Sequence, residues 1–118
     1  MTLDLLCAFL AIGSVESGLK PYAHNHDENA CGILQITAVV CVETGLPIGL
    51  RGSLRGSFMI MQVHFENNKV TTIAEASKLW NPKAPQDYHD RIANLYECYL
   101  KGDMNNEERA IYSLLQYD

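Results

Sequence analysis

One carboxyl group in the sequence, that of Glu16, lies where it could support acid catalysis. It ends an almost wholly apolar segment that starts near Leu3, and such a segment is typical of a helix buried in the middle of a domain. A carboxyl group that faces a cleft beside such a helix is poorly solvated, so its pKa rises. The group then keeps enough proton near neutral pH to protonate the leaving oxygen of a glycosidic bond. On position alone, a solvated residue at a helix end would be the better interpretation of Glu16.

Two short sequence blocks, one that begins at Glu16 and one that follows it, favour the interpretation of Glu16 as a catalytic acid. The first is Glu-Ser-Gly at residues 16–18, followed by Pro21 and Ala23, and the second is Gly-Ile-Leu-Gln at residues 32–35. Together they resemble the signature of the lytic transglycosylases, which belong to the lysozyme-like superfamily. In that family a catalytic Glu opens a Glu-Ser-Gly motif, and a run similar to Gly-Leu-Met-Gln follows it.

Two weaker blocks follow in the same order as in that family. Leu-Trp-Asn-Pro at residues 79–82 resembles the family's aromatic-Asn block, and residues 88–92 resemble its Tyr-x-x-basic-Val block. The chain departs from the family at residues 82–85, where Pro-Lys-Ala-Pro replaces a glycine-rich turn. It also departs at Cys31, where many members have a small hydroxyl residue. These departures concern the shape of the groove more than the identity of the acid.

The resemblance implies a role for each matching residue. Glu16 would act first as the acid and then as the base. The groove that binds the substrate would contain Ser17, Gln35, Trp80, Asn81 and Tyr88. The Tyr88 hydroxyl would lie near the carboxyl group, and Gln35 would bond the sugar or orient the loop beside it. Trp80 would offer an apolar face to a pyranose ring, although a tryptophan is more often a core residue.

The substrate implied by the resemblance is the glycan strand of bacterial peptidoglycan, cut between N-acetylmuramic acid and N-acetylglucosamine. The product would carry a 1,6-anhydro ring, because the sugar's own 6-hydroxyl attacks with help from its acetamido group. A hydrolytic lysozyme on the same fold is the alternative, and it would need a second carboxylate to hold water. Asp27 and Glu28 are the nearest candidates, but both have ready local roles in a polar loop. A catalytically altered wall-binding module is a further alternative.

Composition excludes several other partners. The net charge is −5 and no run of basic residues occurs, which argues against nucleic acid. No stretch is long enough to span a membrane. Loop residues that could suggest a metal site are His24, His26, Asp27 and Cys31, but their spacing matches no common metal motif. We therefore expect a monomer without metal or cofactor. No signal peptide is visible, so a phage lysis enzyme, a virion-borne enzyme, a mobile-element transfer enzyme or an exported enzyme would all fit.

Helical periodicity and capping residues predict one all-α domain of about six helices over residues 1–118. The resemblance implies that its fold is lysozyme-like. The expected helices cover residues 2–16, 32–44, 57–65, 72–80 and 86–101 and the segment from residue 105 onwards. Residues 46–56 are expected to form a mobile loop, and no strand is expected. Three cysteines in apolar helical segments are predicted to be reduced and buried, namely Cys7, Cys41 and Cys98.

Overall fold

The computed structural model describes residues 2–117, so Met1 and Asp118 of the predicted domain lie outside the described residues. Within that range the prediction of an all-α protein with about six helices is confirmed. The elements in chain order are α1 (Leu5–Ser17), β1 (His24–Asn25), β2 (Ala30–Cys31), α2 (Ala38–Thr44), a 3₁₀ helix (Ile48–Gly52), α3 (Leu54–Asn67), α4 (Ile73–Trp80), α5 (Gln86–Leu100) and α6 (Asn106–Gln116). None of the described helices is long and apolar enough to cross a membrane.

Helix α1 is the centre of the fold, as its apolar sequence predicts. Every residue from Cys7 to Gly13 is buried. The helix packs against α5 most extensively and also contacts α3, α4 and α6. It starts later than expected because the Asp4 side chain caps it, accepting a bond of 3.0 Å from the Cys7 backbone N–H. It ends at Gly18, whose φ of 65° lies in the left-handed region that favours glycine.

The second helix is shorter than predicted, since α2 begins at Ala38 rather than at residue 32. The reason is a tight turn between β2 and α2. Gly32 and Gln35 have φ values of 87° and 52°, and a residue with positive φ cannot continue a right-handed helix. Main-chain hydrogen bonds of 3.1 Å link Cys31 and Ile36 in both directions and close this turn.

A two-stranded hairpin is present where no strand was expected. Its strands β1 and β2 pair antiparallel, with His24 opposite Cys31 and Asn25 opposite Ala30. Each strand has two residues, which is too short for an alternating pattern to reveal it. The polar residues that precede Ala30 therefore belong in part to a hairpin.

The prediction of a loop over residues 46–56 is wrong for most of that segment, which forms the 3₁₀ helix and the start of α3. Buried Arg51 anchors it. Its Nη1 donates to the carbonyl oxygens of Asn29 at 2.8 Å and of Ile36 at 2.9 Å. Its Nε donates to the carbonyl oxygen of Ile48 at 3.2 Å. The 3₁₀ helix is thereby bonded to the hairpin at Asn29 and to the turn that follows it at Ile36.

The expected helix starts at residues 72 and 105 are confirmed, and each of them is a capping box. Thr72 and Glu75 exchange side-chain and backbone hydrogen bonds at the start of α4, and Asn105 and Glu108 do the same at the start of α6. Bonds from the backbone and side chain of Thr71 and from Thr72 also lower the pKa of Glu75. Both boxes are local devices, which explains why the sequence alone reveals them.

All four cysteines are free, and their burial agrees with the prediction in part. Cys7 and Cys41 are buried, and burial, with a smaller effect of Asp4, raises the pKa of Cys7 to about 12. Cys98 is exposed, so its predicted burial is wrong. Cys98 lies two residues after Tyr96, which is buried on the core side of α5. Residues two apart lie on nearly opposite sides of an α-helix, so Cys98 faces away from the core.

Candidate active site

Glu16 lies in the last turn of α1, where the buried helix reaches the surface. Its side chain is half-buried. Burial is the largest influence on its pKa and raises it, a hydrogen bond from Tyr88 lowers it, and the charge of Glu28 raises it again. The net effect is a raised pKa, which a general acid requires near neutral pH.

Tyr88 is brought to Glu16 by the packing of α5 on α1. Its hydroxyl donates a hydrogen bond of 2.5 Å to Oε2 of Glu16, so the expected proximity of the two groups is present. Burial and the neighbouring carboxyl group raise the pKa of Tyr88, which keeps the phenol protonated as a donor. Within residues 2–117 no hydrogen bond reaches the other oxygen of Glu16, so that atom is available to a substrate.

A polar cleft of about 280 Å³ opens beside this carboxyl group. The residues that line it are Glu16, Asn25, Glu28, Gln35, Thr37, Trp80 and Asn81. Four of the predicted site residues therefore meet in one cleft, and Tyr88 joins them through its bond to the carboxyl group. Of the other lining residues, Asn25 and Thr37 were missed, and Glu28 was considered only as a candidate second carboxylate of a hydrolytic enzyme.

Gln35 lines the cleft and has a strained backbone conformation. Its φ of 52° is uncommon for a residue other than glycine, and such outliers are concentrated at functional sites. Its Nε2 donates to the carbonyl oxygen of Gly32 at 3.0 Å, which braces the turn. Gly32 in turn approaches the main chain so closely that a Cβ atom there would lie 2.0 Å from the Arg51 carbonyl oxygen.

Trp80 takes part in both the core and the cleft. Its Nε1 donates to the carbonyl oxygen of Leu34 at 3.0 Å, and the ring meets those of Phe65 and His64 edge-on. Asn81 follows it as the C-cap residue of α4, and its carbonyl oxygen accepts a bond from the Ala84 N–H. The part of the cleft lined by Trp80 and Asn81 is therefore positioned by α4 and its C-cap.

Ser17 is placed differently from the other predicted residues. Its hydroxyl donates to the carbonyl oxygens of Ile33 at 2.6 Å and Gly13 at 3.2 Å, and it accepts from the Lys20 N–H at 3.1 Å. Ser17 does not line the cleft. The structure thus gives Ser17 a bracing contact, between the end of α1 and the turn that contains Gln35.

The hairpin supplies the residues that the sequence did not reveal. Asn25 ends β1, and its Oδ1 accepts a bond of 3.1 Å from the Asp27 N–H, which forms the turn. Glu28 follows and lines the cleft, whereas Asp27 does not. The only available signal was that Asp27 and Glu28 are the carboxylates nearest to Glu16 in the loop, and no local pattern distinguishes one from the other.

The other loop residues considered for metal do not form a cluster. His24 and His26 lie against each other with ring centroids 4.1 Å apart. In the part of the chain that the structure describes, no three His, Cys, Asp or Glu residues are grouped so that they could hold a metal ion.

A larger cavity of about 430 Å³ lies elsewhere, between α5 and α6. Its lining includes Tyr99, Met104, Arg109 and Tyr112 but no carboxyl group. Of these two cavities, the smaller cleft is the better candidate for an active site, because it contains a carboxyl group with a raised pKa.

No protein-family model, curated protein or solved structure matches the chain. The functional argument therefore depends on the geometry of the cleft and on the motifs that meet there.

Proposed function

We propose that the protein cleaves the β-1,4 bond between N-acetylmuramic acid and N-acetylglucosamine in peptidoglycan, mainly without water, with Glu16 as the acid and base. The observation that carries this proposal is the half-buried Glu16 carboxyl group, held by Tyr88 and opening into a polar cleft. The four sequence blocks that resemble those of lytic transglycosylases contribute all the predicted residues of this site.

In the first step Glu16 gives its proton to the oxygen that bridges the two sugars. The bond from that oxygen to C1 of the muramic sugar breaks, and positive charge develops at C1. The 2-acetamido group of the same sugar stabilises this charge, so the step needs only one protein carboxyl group. The hydrogen bond from Tyr88 stabilises the Glu16 carboxylate that remains.

In the second step the 6-hydroxyl oxygen of the muramic sugar bonds to C1 and closes the 1,6-anhydro ring. Its proton passes to the Glu16 carboxylate, which returns to its starting form. Attack from within the same sugar is favoured because the reacting atoms are already close. Trp80 and Asn81, at the end of α4, would hold the sugar in that position. Gln35 would form a hydrogen bond with it.

The test is digestion of purified peptidoglycan followed by mass spectrometry of the released fragments. The wild-type protein is expected to release 1,6-anhydromuramic ends, which are lighter than hydrolysed ends by one water. Glu16→Gln is expected to release none, because the amide has nearly the same shape but no acidic proton. A suitable control is Glu108→Gln, which alters a glutamate that also bonds a tyrosine but lies outside the cleft.

Two results would overturn the proposal. One is Glu16→Gln cleaving at the wild-type rate. The other is a folded wild-type protein that binds peptidoglycan without cutting it, which would identify a wall-binding module.

A further inference from the structure

Glu28 is the second carboxylate of the cleft. It lies in the turn between β1 and β2, so it approaches the cleft from the hairpin, while Glu16 approaches from the end of α1. The adjacent Asp27 is as exposed to solvent as Glu28 but does not line the cleft. The hairpin therefore directs one of its two neighbouring carboxylates towards the acid.

The position of Glu28 is fixed from both sides by main-chain contacts. On one side Asn25 accepts a bond from the Asp27 N–H and shapes the turn. On the other side Asn29 has a φ of 51°, and its carbonyl oxygen accepts a bond of 2.8 Å from buried Arg51. Although the Glu28 side chain is exposed, its backbone is anchored to the core.

A carboxylate on the far side of the sugar from the acid has a defined use in glycoside chemistry. It stabilises the positive charge that develops at C1, and it can orient a water molecule for attack and accept the proton of that water. In this cleft the 6-hydroxyl and such a water would compete for the same carbon atom.

Building on the proposed function, we propose that Glu28 is a second catalytic residue, which holds a water molecule against C1 and makes part of the cleavage hydrolytic. In that branch the water oxygen bonds to C1, one water proton passes to the Glu28 carboxylate, and the bridging oxygen leaves with the proton of Glu16. Both carboxyl groups then return to their starting protonation by exchange with solvent. The product is a reducing end in place of an anhydro ring.

The electrostatics of the cleft support this arrangement. The charge of Glu28 raises the pKa of Glu16, so the two carboxyl groups are close enough to interact. An acid with a raised pKa and a second carboxyl group in the same cleft are the two groups that water-using glycosidases require.

The experiment compares the wild type with Glu28→Gln and with the matched control Asp27→Asn, all digesting purified peptidoglycan in water enriched in heavy oxygen. Mass spectrometry counts anhydro ends and labelled reducing ends. The wild type is expected to give both. In Glu28→Gln the ratio of labelled reducing ends to anhydro ends falls about tenfold or more, since general base catalysis by one group contributes about 10²–10⁴-fold. Asp27→Asn keeps the wild-type ratio.

The possible failures are distinguishable. Anhydro ends alone from the wild type, or an unchanged ratio in Glu28→Gln, would overturn the role of Glu28 and leave the proposed function standing. An equal fall in both variants would also overturn it, because the effect would then belong to the charge of the hairpin. Absence of any cleavage by the folded wild type would overturn the proposed function and this inference together.

Discussion

Helix α5 carries two tyrosines that each donate a hydrogen bond to a glutamate, and the two pairs have almost the same geometry. Tyr88 bonds Glu16 at 2.5 Å and Tyr99 bonds Glu108 at 2.6 Å. Only the first pair lies at the cleft. A tyrosine bonded to a carboxyl group is therefore not, in itself, the mark of an acid catalyst.

The pairs differ in which end of a helix holds the glutamate. Glu16 is in the last turn of α1, where the helix dipole is negative and disfavours a carboxylate. Glu108 is in the first turn of α6, where the dipole is positive, and its second oxygen accepts a bond of 2.7 Å from the Asn105 N–H. The position of Glu16 favours its protonated form, whereas both oxygens of Glu108 accept hydrogen bonds at the start of α6. The same side-chain pair thus lies at a candidate catalytic site in one place and at a helix cap in the other.

The largest expected effect separates the two glutamates by activity. Glu16→Gln is expected to lower the rate of clearing of permeabilised bacteria by about 10²–10⁴-fold, because the acid is lost. Glu108→Gln keeps the wild-type rate per folded molecule. A Glu108 variant as inactive as the Glu16 variant, with both folded by circular dichroism, would show that the two pairs do not differ in function.

The second effect separates the two glutamates by the stability of their variants. Glu108→Gln is expected to lower the free energy of unfolding by about 1 kcal/mol, since it weakens a capping box. Glu16→Gln is expected to raise stability at neutral pH, because it removes a carboxylate that is costly to bury. Urea unfolding at neutral pH measures both, and a loss of stability in Glu16→Gln would contradict the expected cost of the buried charge.

The sign of the Glu16 effect follows from its raised pKa. The unfolded chain loses the Glu16 proton near the ordinary value of 4.5, while the folded protein retains it to higher pH. Stability from this group is therefore complete below that value and declines as the pH rises through the folded pKa. The advantage of Glu16→Gln over the wild type should appear across this window and vanish in acid.

A third effect separates the two tyrosines by pH dependence. The Tyr88 hydrogen bond lowers the pKa of Glu16, so Tyr88→Phe should move the alkaline limb of the rate profile to higher pH. Tyr99→Phe removes the matching hydroxyl from the other pair and should leave that limb in place. Profiles of kcat/KM on soluble glycan fragments decide this, and equal shifts in the two variants would remove the distinction between the pairs.

The smallest effect concerns Glu28, whose charge acts on Glu16. The charge of Glu28 raises the pKa of Glu16, so Glu28→Gln should move the same alkaline limb to lower pH, opposite to Tyr88→Phe. Exposure of Glu28 to solvent screens this influence and keeps the shift small. Asp27→Asn is the control, and a shift towards higher pH in Glu28→Gln would contradict the coupling.

The sequence predicted the parts of the fold that depend on local signals. The apolar run before Glu16 gave α1, and the two capping boxes marked the starts of α4 and α6. Four of the six predicted site residues line the cleft, and Tyr88 bonds the acid. Glu16, Trp80, Asn81 and Tyr88 all lie at the ends of helices, which sequence signals can mark.

The parts that were not predicted depend on contacts between distant residues. Gln35 adopts a positive φ within a turn that is held from outside by Arg51. The contribution of Glu28 depends on a hairpin of two-residue strands, for which no periodic pattern can exist. Propensity and periodicity describe neighbours along the chain, so they contain no information about these contacts.

The Arg51 side chain contacts the hairpin at Asn29 and the turn at Ile36. In both places it bonds a main-chain carbonyl oxygen. Every residue type provides that oxygen. These bonds therefore place no demand on the side chains of the two residues they hold, and exposed residues of the hairpin can be exchanged without loss of the anchor. We expect sequence variation to accumulate at these exposed positions faster than in α1.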